Sequence, residues 1–267
     1  MNNKQADKSP ISLDYRDRNV VISGGSSGIG LGIARHLAAL GARISIIGRN
    51  QDKLSAALST IYEIAPDAAG YSADVRDAPR ITECLTEIRR TRGEIDVVIA
   101  AAAGNFFVPA EKMSPNAFKT VIEIDLIGTF NVFSAALPLL RREDAALLAI
   151  TAPQAQRPMA NQAHACSAKA GIDMLVKCLA MEWGTHGVRV NAVSPGPIAG
   201  TEGLARLSAT PEIERFVRDA TALRKFGDVE DIARSVAFLC SPMARYVTGT
   251  VLDCDGGMRH GNFVPMQ

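Results

Sequence analysis

Short apolar runs rich in β-branched residues alternate with longer amphipathic stretches along nearly the whole chain. The N-terminal part reads RNVVIS, then GIGLGIARHLAAL, then ARISIIG, then QDKLSAALSTIYEIA. Runs of strand length separated by stretches of helix length predict βαβ units, which build a parallel sheet. The pattern continues with GYSADV, EIDVVIAAA, ALLAIT, VRVNAVSP and GTVLDCD, which predicts about seven strands. Because these runs are apolar nearly throughout, helices should cover both faces of the sheet.

The length of 267 residues suits one large α/β domain with a well-buried core. We predict that this domain covers residues 17–267 and that residues 1–16 form a flexible N-terminal arm. Residues 199–224 are rich in small and charged side chains, and we expect them to form a helical lid over the substrate.

The charge balance and the chain ends disfavour several classes of protein. Lysine and arginine exceed aspartate and glutamate by one, so the overall charge does not recruit nucleic acid or a membrane surface. No apolar run reaches the roughly 20 residues that span a bilayer, and the polar N-terminus is unlike a secretory signal. The ending FVPMQ carries no peroxisomal address of the Ser-Lys-Leu type. The five cysteines lack metal-ligand or disulfide spacing, so we expect reduced thiols, no metal site and a cytoplasmic protein.

A glycine-rich segment, SGGSSGIG, follows the first predicted strand and opens the first predicted helix. Glycines at this place permit a tight turn and let a pyrophosphate approach backbone N–H groups at a helix N-terminus. A glycine cluster alone could be an ordinary turn, but its βαβ context indicates dinucleotide binding. The sequence therefore predicts a single doubly wound, Rossmann-like α/β domain. The residues of this loop expected to hold the cofactor are Gly24, Ser26, Ser27, Gly28, Ile29 and Gly30.

The tip of the second strand predicts which cofactor is used. NAD-specific enzymes place a carboxylate there for the ribose 2′-hydroxyl, whereas this chain has Arg49 followed by Asn50. A guanidinium suits a 2′-phosphate, so NADPH is favoured over NADH, although a solvated surface arginine is the alternative. Asp74 and Val75 close the third strand and are expected to border the adenine.

Several motifs in this order resemble the short-chain dehydrogenase/reductase family. They are SGGSSGIG, AAAG at residues 101–104, the lysine of SAKAG, VRVNAVSPGPI and the C-terminal DCDGG. The resemblance extends over about residues 16–258. It implies that the nicotinamide half of the cofactor contacts Ala101, Ala102, Ala103, Gly104, Lys169, Pro195, Gly196 and Ile198.

The chain departs from the family at most of the positions that ordinary members use to reduce a carbonyl. Those members carry Ser, Tyr and Lys, with Y-x-x-x-K spacing, and an Asn on an earlier helix. Aligned on Lys169, the tyrosine position is Ala165, the serine position falls on or next to Ala152, and the asparagine position is Asp125. Only the lysine is kept, so simple ketone chemistry is in doubt.

A narrower resemblance accounts for this pattern. Residues 101–133, 164–171 and 182–207 are similar to the 2,4-dienoyl-CoA reductases, particularly the peroxisomal branch, which also lacks that tyrosine and carries Asp for Asn. The resemblance implies an acyl-CoA substrate that contacts Arg49, Arg76, Asn105, Phe106, Ser114, Pro115, Asn116, His164 and Arg206. It also implies a homotetramer, and the helices predicted at 114–140 and 161–185 carry apolar residues on more than one face.

The remaining polar residues suggest how such a reduction would be completed. An unpaired Asp125 in the apolar stretch VIEIDLIGTFNVF would be unfavourable, so we expect it to pair with Lys169 directly or through water. We hypothesise that the two hold an ordered water that delivers a proton, with Lys169 also stabilising charge on the thioester oxygen. A buried ion pair that only fixes the helices is the alternative. Ser167 and His164 flank the site, and we predict Ser167 to be catalytic together with Lys169 and Asp125, while His164 titrates near neutral pH.

Three functions remain open from the sequence. The first is NADPH-dependent reduction of 2,4-dienoyl-CoA to enoyl-CoA in the β-oxidation of unsaturated fatty acids. The second is reduction of another acyl thioester, such as a 3-oxoacyl or 2-enoyl group. The third is an inactive NADPH-binding sensor or scaffold, which the lost Ser and Tyr favour and the retained Lys169 opposes.

Overall fold

Seven parallel strands form one sheet in the computed structural model, which describes residues 13–207 and 210–261 apart from the side chains of residues 206 and 207. The strands are β1 (Asn19–Ser23), β2 (Arg43–Gly48), β3 (Ala69–Ser72), β4 (Val97–Ala100), β5 (Ala145–Ile150), β6 (Val188–Pro195) and β7 (Val251–Cys254). Their order in the sheet is β3-β2-β1-β4-β5-β6-β7. The predicted number of strands and their parallel pairing are confirmed.

Helices cover both faces of this sheet, as the apolar strands predict. They are α1 (Gly28–Ala39), α2 (Gln51–Tyr62), α3 (Ala78–Arg92), α4 (Pro115–Ile122), α5 (Gly128–Ala136), α6 (Ala163–Trp183), α7 (Glu202–Leu207), α8 (Pro211–Asp219) and α9 (Val229–Cys240). Successive strand residues point to opposite faces, so Val20 and Ile22 of β1 pack in the core layer of α1, α2 and α9. Val21 packs in the other layer, with α3, α5 and α6.

The strand order reverses between β1 and β4. The chain runs outward from β1 to β3 and then returns to the other side of β1. In doubly wound sheets a crevice opens at this reversal, beyond the carboxyl ends of the strands. The topology therefore places the ends of β1 and β4 at the expected ligand site.

The predicted N-terminal arm falls partly outside the described residues, which begin at residue 13. The side chain of Tyr15 is fully buried, and its hydroxyl donates a 2.6 Å hydrogen bond to the carbonyl of Ala237 in α9. This contact corrects the predicted boundary of the arm, because burying an aromatic ring attaches this part of the chain to the core.

A π-helical turn interrupts the long helix predicted at 114–140. Residues Glu123–Ile127 form this turn between α4 and α5, a feature that the apolar pattern did not indicate. The composite helix Pro115–Leu139 is long and apolar enough to cross a membrane by length and composition, contrary to the expectation that no such run exists. It packs against α3 and α6, and core helices of other folds meet the same criterion, so this feature carries no membrane assignment.

Candidate active site

One cavity of about 1030 Å³ lies beyond the carboxyl ends of the strands. Every residue that the sequence predicted to hold the cofactor lines this cavity, from Gly24 after β1 to Ile198 after β6. These residues are far apart in sequence, and the parallel sheet brings them together because all of its strands end at the same edge.

The loop between β1 and α1 packs tightly against backbone at Gly24 and faces open space at Gly28. Gly24 has a φ of 73°, and a Cβ there would lie 2.5 Å from the backbone nitrogen of Ala102. Gly28 also has a positive φ, yet a Cβ there would meet nothing within 4 Å. Ser27, which precedes α1, makes no side-chain cap. The first turn of α1 thus borders the cavity with backbone N–H groups, an arrangement that binds phosphate.

Arg49 and Asn50 line the cavity directly after β2. Arg49 is exposed, whereas the side chain of Asn50 caps α2 by accepting from the backbone N–H of Lys53 at 2.8 Å. Asp74 lies two residues after β3. Its carboxylate accepts hydrogen bonds of 2.7 and 3.0 Å from the guanidinium of Arg76. The Arg76 guanidinium keeps the pKa of the Asp74 carboxyl below its usual range. Arg49 is therefore the cation that the second strand places at the cavity.

A buried ion pair lies at the inner end of the cavity. The ammonium of Lys169 in α6 is 3.0 Å from Oδ2 of Asp125, and Asp125 is 1% exposed. The same ammonium donates to the carbonyl of Ile150, the last residue of β5, at 3.1 Å. Oδ1 of Asp125 accepts the backbone N–H of Gly104 at 2.7 Å. The pairing expected from the sequence is therefore direct.

The π-helical turn gives Asp125 its position. Such turns add one residue to a helical repeat, and they recur at functional sites. Asp125 lies at the centre of the turn, and its carbonyl accepts a 2.6 Å hydrogen bond from the hydroxyl of Thr129. The carboxylate is thereby directed inward, where Oδ1 accepts the backbone N–H of Gly104 and Oδ2 forms an ion pair with the lysine without accepting a hydrogen bond.

The positions that usually carry Ser and Tyr are apolar here. Ala152 and Ala165 both line the cavity. None of the four tyrosines, all of which lie among the described residues, lines it: Tyr15 is in the core and Tyr246 is fully exposed. The chain as described therefore brings no phenol to this site.

Ser167 does not reach the site, contrary to its predicted catalytic role. It is exposed and is not among the cavity-lining residues. Two residues along an α-helix correspond to a rotation of about 200°, so Ser167 lies on a different face of α6 from Lys169.

Phe106 and His164, two predicted substrate contacts, lie outside the cavity lining. The two rings pack against each other with centroids 4.3 Å apart, and His164 is fully buried outside the cavity lining. Phe107 lines the cavity instead, because adjacent residues of an extended segment point to opposite sides. Asn105 lines the cavity as predicted and donates to Oε1 of Gln162 at 3.2 Å.

Four further predicted acyl-CoA contacts, Arg76, Ser114, Pro115 and Asn116, lie away from the cavity. Ser114 caps α4 by accepting the N–H of Ala117, and neither it nor its neighbours Pro115 and Asn116 line the cavity. Arg76 borders a separate depression with Asp77 and Glu123, which disfavours an anion there. Arg206 lies in α7, and its side chain is outside the described part of the structure.

Sequence reasoning missed a second wall of the cavity, made by the loop after β5 and by the segment predicted as a lid. The segment does form α7 and α8, but only the structure shows which of its side chains border the cavity. The polar pattern of the loop after β5 offered no motif. The missed residues include Gln154, Arg157, Met159, Leu204, Phe216 and Met258.

The buried His164 predicts a stability change with pH. Burial lowers its pKa, and the charge of Asp125 opposes this. Between its lowered folded-state pKa and its ordinary pKa of about 6.5 the unfolded chain binds a proton that the folded chain does not, so the free energy of unfolding decreases as the pH is lowered, by up to about 1.4 kcal/mol per pH unit. His164→Leu should flatten this acid-side decline in urea unfolding series, whereas Phe106→Leu, which keeps the imidazole, should retain it. Equal slopes in wild type and His164→Leu would contradict the assignment.

Known proteins share this sequence pattern and this fold. A family model described as enoyl-(acyl carrier protein) reductase matches residues 24–259. A short-chain dehydrogenase from Bacillus anthracis superposes with a TM-score of 0.85 and 35% identity, covering 93% of this chain and 98% of that one. The chain belongs to the short-chain dehydrogenase/reductase family.

Curated relatives of this chain within that family are named 2,4-dienoyl-CoA reductases. The peroxisomal 2,4-dienoyl-CoA reductase [(3E)-enoyl-CoA-producing] of Pongo abelii is 41% identical over 91% of this chain and 84% of the relative. A probable 2,4-dienoyl-CoA reductase [(2E)-enoyl-CoA-producing] of Bacillus subtilis is 36% identical over 89% of this chain and 95% of the relative. Family and relatives together identify this short-chain dehydrogenase/reductase as an oxidoreductase, and the resemblance stated from its motifs is confirmed.

Proposed function

We propose that this protein reduces 2,4-dienoyl-CoA thioesters to enoyl-CoA with NADPH, in the degradation of unsaturated fatty acids. The observation that carries the proposal is the buried Lys169–Asp125 pair at the end of the cavity, with Ala165 in place of the tyrosine. The names of relatives with 36–41% identity, all 2,4-dienoyl-CoA reductases, support the same substrate class.

The cofactor fits the residues on the cavity wall. The loop at Gly24 and Gly28 offers backbone N–H groups and open space to a pyrophosphate, and Arg49 offers a cation to a 2′-phosphate. When bound, NADPH supplies the hydride. Lys169 borders the cavity with an ammonium that can donate three hydrogen bonds, of which the Ile150 carbonyl accepts one, while Asp125 lies beside it as an ion pair. Donor capacity therefore remains for the cofactor ribose or the substrate.

The chain's residues account for the remaining chemistry as follows. Hydride addition to a conjugated thioester leaves negative charge on the thioester oxygen, which the ammonium of Lys169 stabilises. A carbon atom must then be protonated, and the Lys169–Asp125 pair holds a water that delivers this proton. Asp125 orients the ammonium of Lys169, while Phe107 and Phe216 give the cavity apolar surface for an acyl chain.

A substrate panel tests the proposal. The purified protein is mixed with NADPH and, separately, with a 2,4-dienoyl-CoA, a 2-enoyl-CoA and a 3-oxoacyl-CoA, and loss of reduced nicotinamide is followed by absorbance. We expect turnover with the dienoyl thioester well above the other two, and mass spectrometry and NMR of the product locate its remaining double bond. Preference for another thioester would replace the proposed substrate. Tight NADPH binding with no turnover of any of the three would favour a sensor.

Two further properties belong to this proposal. Exposed apolar side chains on α5 and α6, with Phe130 at 45%, Met174 at 58% and Met181 at 84%, support assembly of the proposed homotetramer through these helices. All five cysteines are free thiols, which supports the proposed cytoplasmic location. The names of two eukaryotic relatives place them in another compartment, the peroxisome.

A further inference from the structure

Asp173 is a buried carboxylate that the proposed reaction does not use. It lies in α6 one helical turn after Lys169, is 6% exposed, and is not among the residues that line the cavity. Burying a carboxylate is unfavourable unless its oxygens accept hydrogen bonds, so its partners show what it holds in place.

Both oxygens of Asp173 hold the loop that follows β5. The hydroxyl of Thr151 donates to Oδ1 at 2.6 Å, and the side-chain amide of Gln156 donates to Oδ2 at 3.3 Å. Thr151 is the first residue after β5, and Gln156 follows the short helical turn Pro153–Ala155. One carboxylate therefore forms hydrogen bonds to both ends of this loop.

The same two elements are joined a second time, one turn earlier in α6. Lys169 donates to the carbonyl of Ile150, the residue immediately before Thr151. The end of β5 is thus attached to α6 at two neighbouring points. A shift of Thr151 would move the Ile150 carbonyl with it, because the two residues share a rigid peptide unit.

The loop after β5 also forms part of the cavity wall. Thr151, Ala152, Pro153 and Gln154 line the cavity, whereas Asp173 stands behind them. Asp173 therefore borders neither the space for the substrate nor the Lys169 ammonium. Any effect of Asp173 on the reaction must pass through Thr151 and Gln156.

We propose that Asp173 is a positioning residue for the reductase reaction. It holds the loop after β5 against α6, so that the Ile150 carbonyl directs the Lys169 ammonium toward Asp125 and the loop keeps its shape beside the substrate. This inference rests on the proposed function, since turnover of the dienoyl thioester is its readout. Its chemistry is charge-assisted hydrogen bonding, which is stronger than that between neutral groups.

Three variants test this role with the full-length protein. Asp173→Ala should lower kcat by about 10-fold to 100-fold, since small misplacements of catalytic groups reduce rates by such factors. Asp173→Asn should restore most of kcat, because its oxygen can still accept from Thr151 and the Gln156 amide can rotate to meet its nitrogen. Thr151→Val should lower kcat by less than Asp173→Ala, and the double variant should be no slower than Asp173→Ala alone.

A purely structural role would lower thermal stability without changing the chemistry of the folded enzyme. Kinetics are therefore measured well below the unfolding temperature of every variant, with the deuterium isotope effect of 4-deuterated NADPH as a second readout. The effect on kcat should rise in Asp173→Ala, because a misplaced lysine slows hydride transfer. Asp228→Ala is the matched control, since it removes the capping carboxylate of α9 and should lower stability only.

The outcomes separate the two proposals. Wild type without dienoyl-CoA turnover would refute the proposed function. Wild-type turnover with an unchanged kcat and isotope effect in folded Asp173→Ala would overturn the positioning role. Independent, additive effects of Thr151→Val and Asp173→Ala would overturn it too. If Asp173→Ala does not fold, Thr151→Val decides in the same way, because valine replaces threonine with nearly the same shape.

Discussion

Replacing Lys169 by methionine should lower the turnover of a 2,4-dienoyl-CoA by at least about 100-fold, the loss typical for removing one preorganised donor from a developing negative charge. Methionine keeps an unbranched chain and removes only the ammonium that contacts Asp125 and Ile150. The measurement is single-turnover oxidation of NADPH at saturating thioester. Lys177→Met, at an exposed position two turns further along α6, is the matched control and should keep full activity.

Stability must be separated from catalysis in this experiment. Breaking a buried ion pair leaves Asp125 without its cation and costs about 3–5 kcal/mol of folding free energy. Adding Asp125→Asn to Lys169→Met removes the unpaired charge, so the double variant should regain stability while remaining inactive. Activity near wild type in Lys169→Met or in the double variant would exclude the proton relay and leave the pair as a structural contact.

Replacing Arg49 by alanine should raise the dissociation constant of NADPH by about 10-fold to 100-fold, the range for one charge-assisted hydrogen bond. The affinity for NADH, which lacks the 2′-phosphate, should change little, so the preference between the two cofactors should largely disappear. Titration of cofactor fluorescence measures both constants. Arg80→Ala removes a half-buried arginine of α3 that pairs with Glu83 and lies outside the cavity, and it should leave both constants unchanged. An equal loss for NADH and NADPH would refute a phosphate contact.

The residues predicted to bind the cofactor line one cavity because they lie in short motifs at strand ends. Gly24 and Ala102 follow strands that an apolar pattern identifies, Pro195 ends one, and a parallel sheet must bring those strand ends together. The Asp125–Lys169 pair was predictable for a different reason. A carboxylate in an apolar helix requires a partner, and Lys169 is the cation that the family resemblance places at the same site.

Fewer of the predicted substrate contacts line the cavity, because these residues lie on loops and helix surfaces. Phe107 rather than Phe106 borders the cavity, and Ser167 lies on an exposed face of α6. Ser114 caps α4 away from the cavity. The side-chain direction in such segments depends on packing against distant elements, and no local pattern records it.

The sequence by itself determined the parallel doubly wound sheet, the phosphate loop, the arginine at Arg49 and the loss of the tyrosine at Ala165. Each follows from local chemistry, either apolar periodicity or the identity of a residue beside a strand end. Only the tertiary structure decided that Asp125 meets Lys169 directly and that Asp173 grips the loop after β5. Those contacts join residues 44 and 22 positions apart through a π-helical turn and a strand end, whose geometry arises when the helices pack onto the sheet.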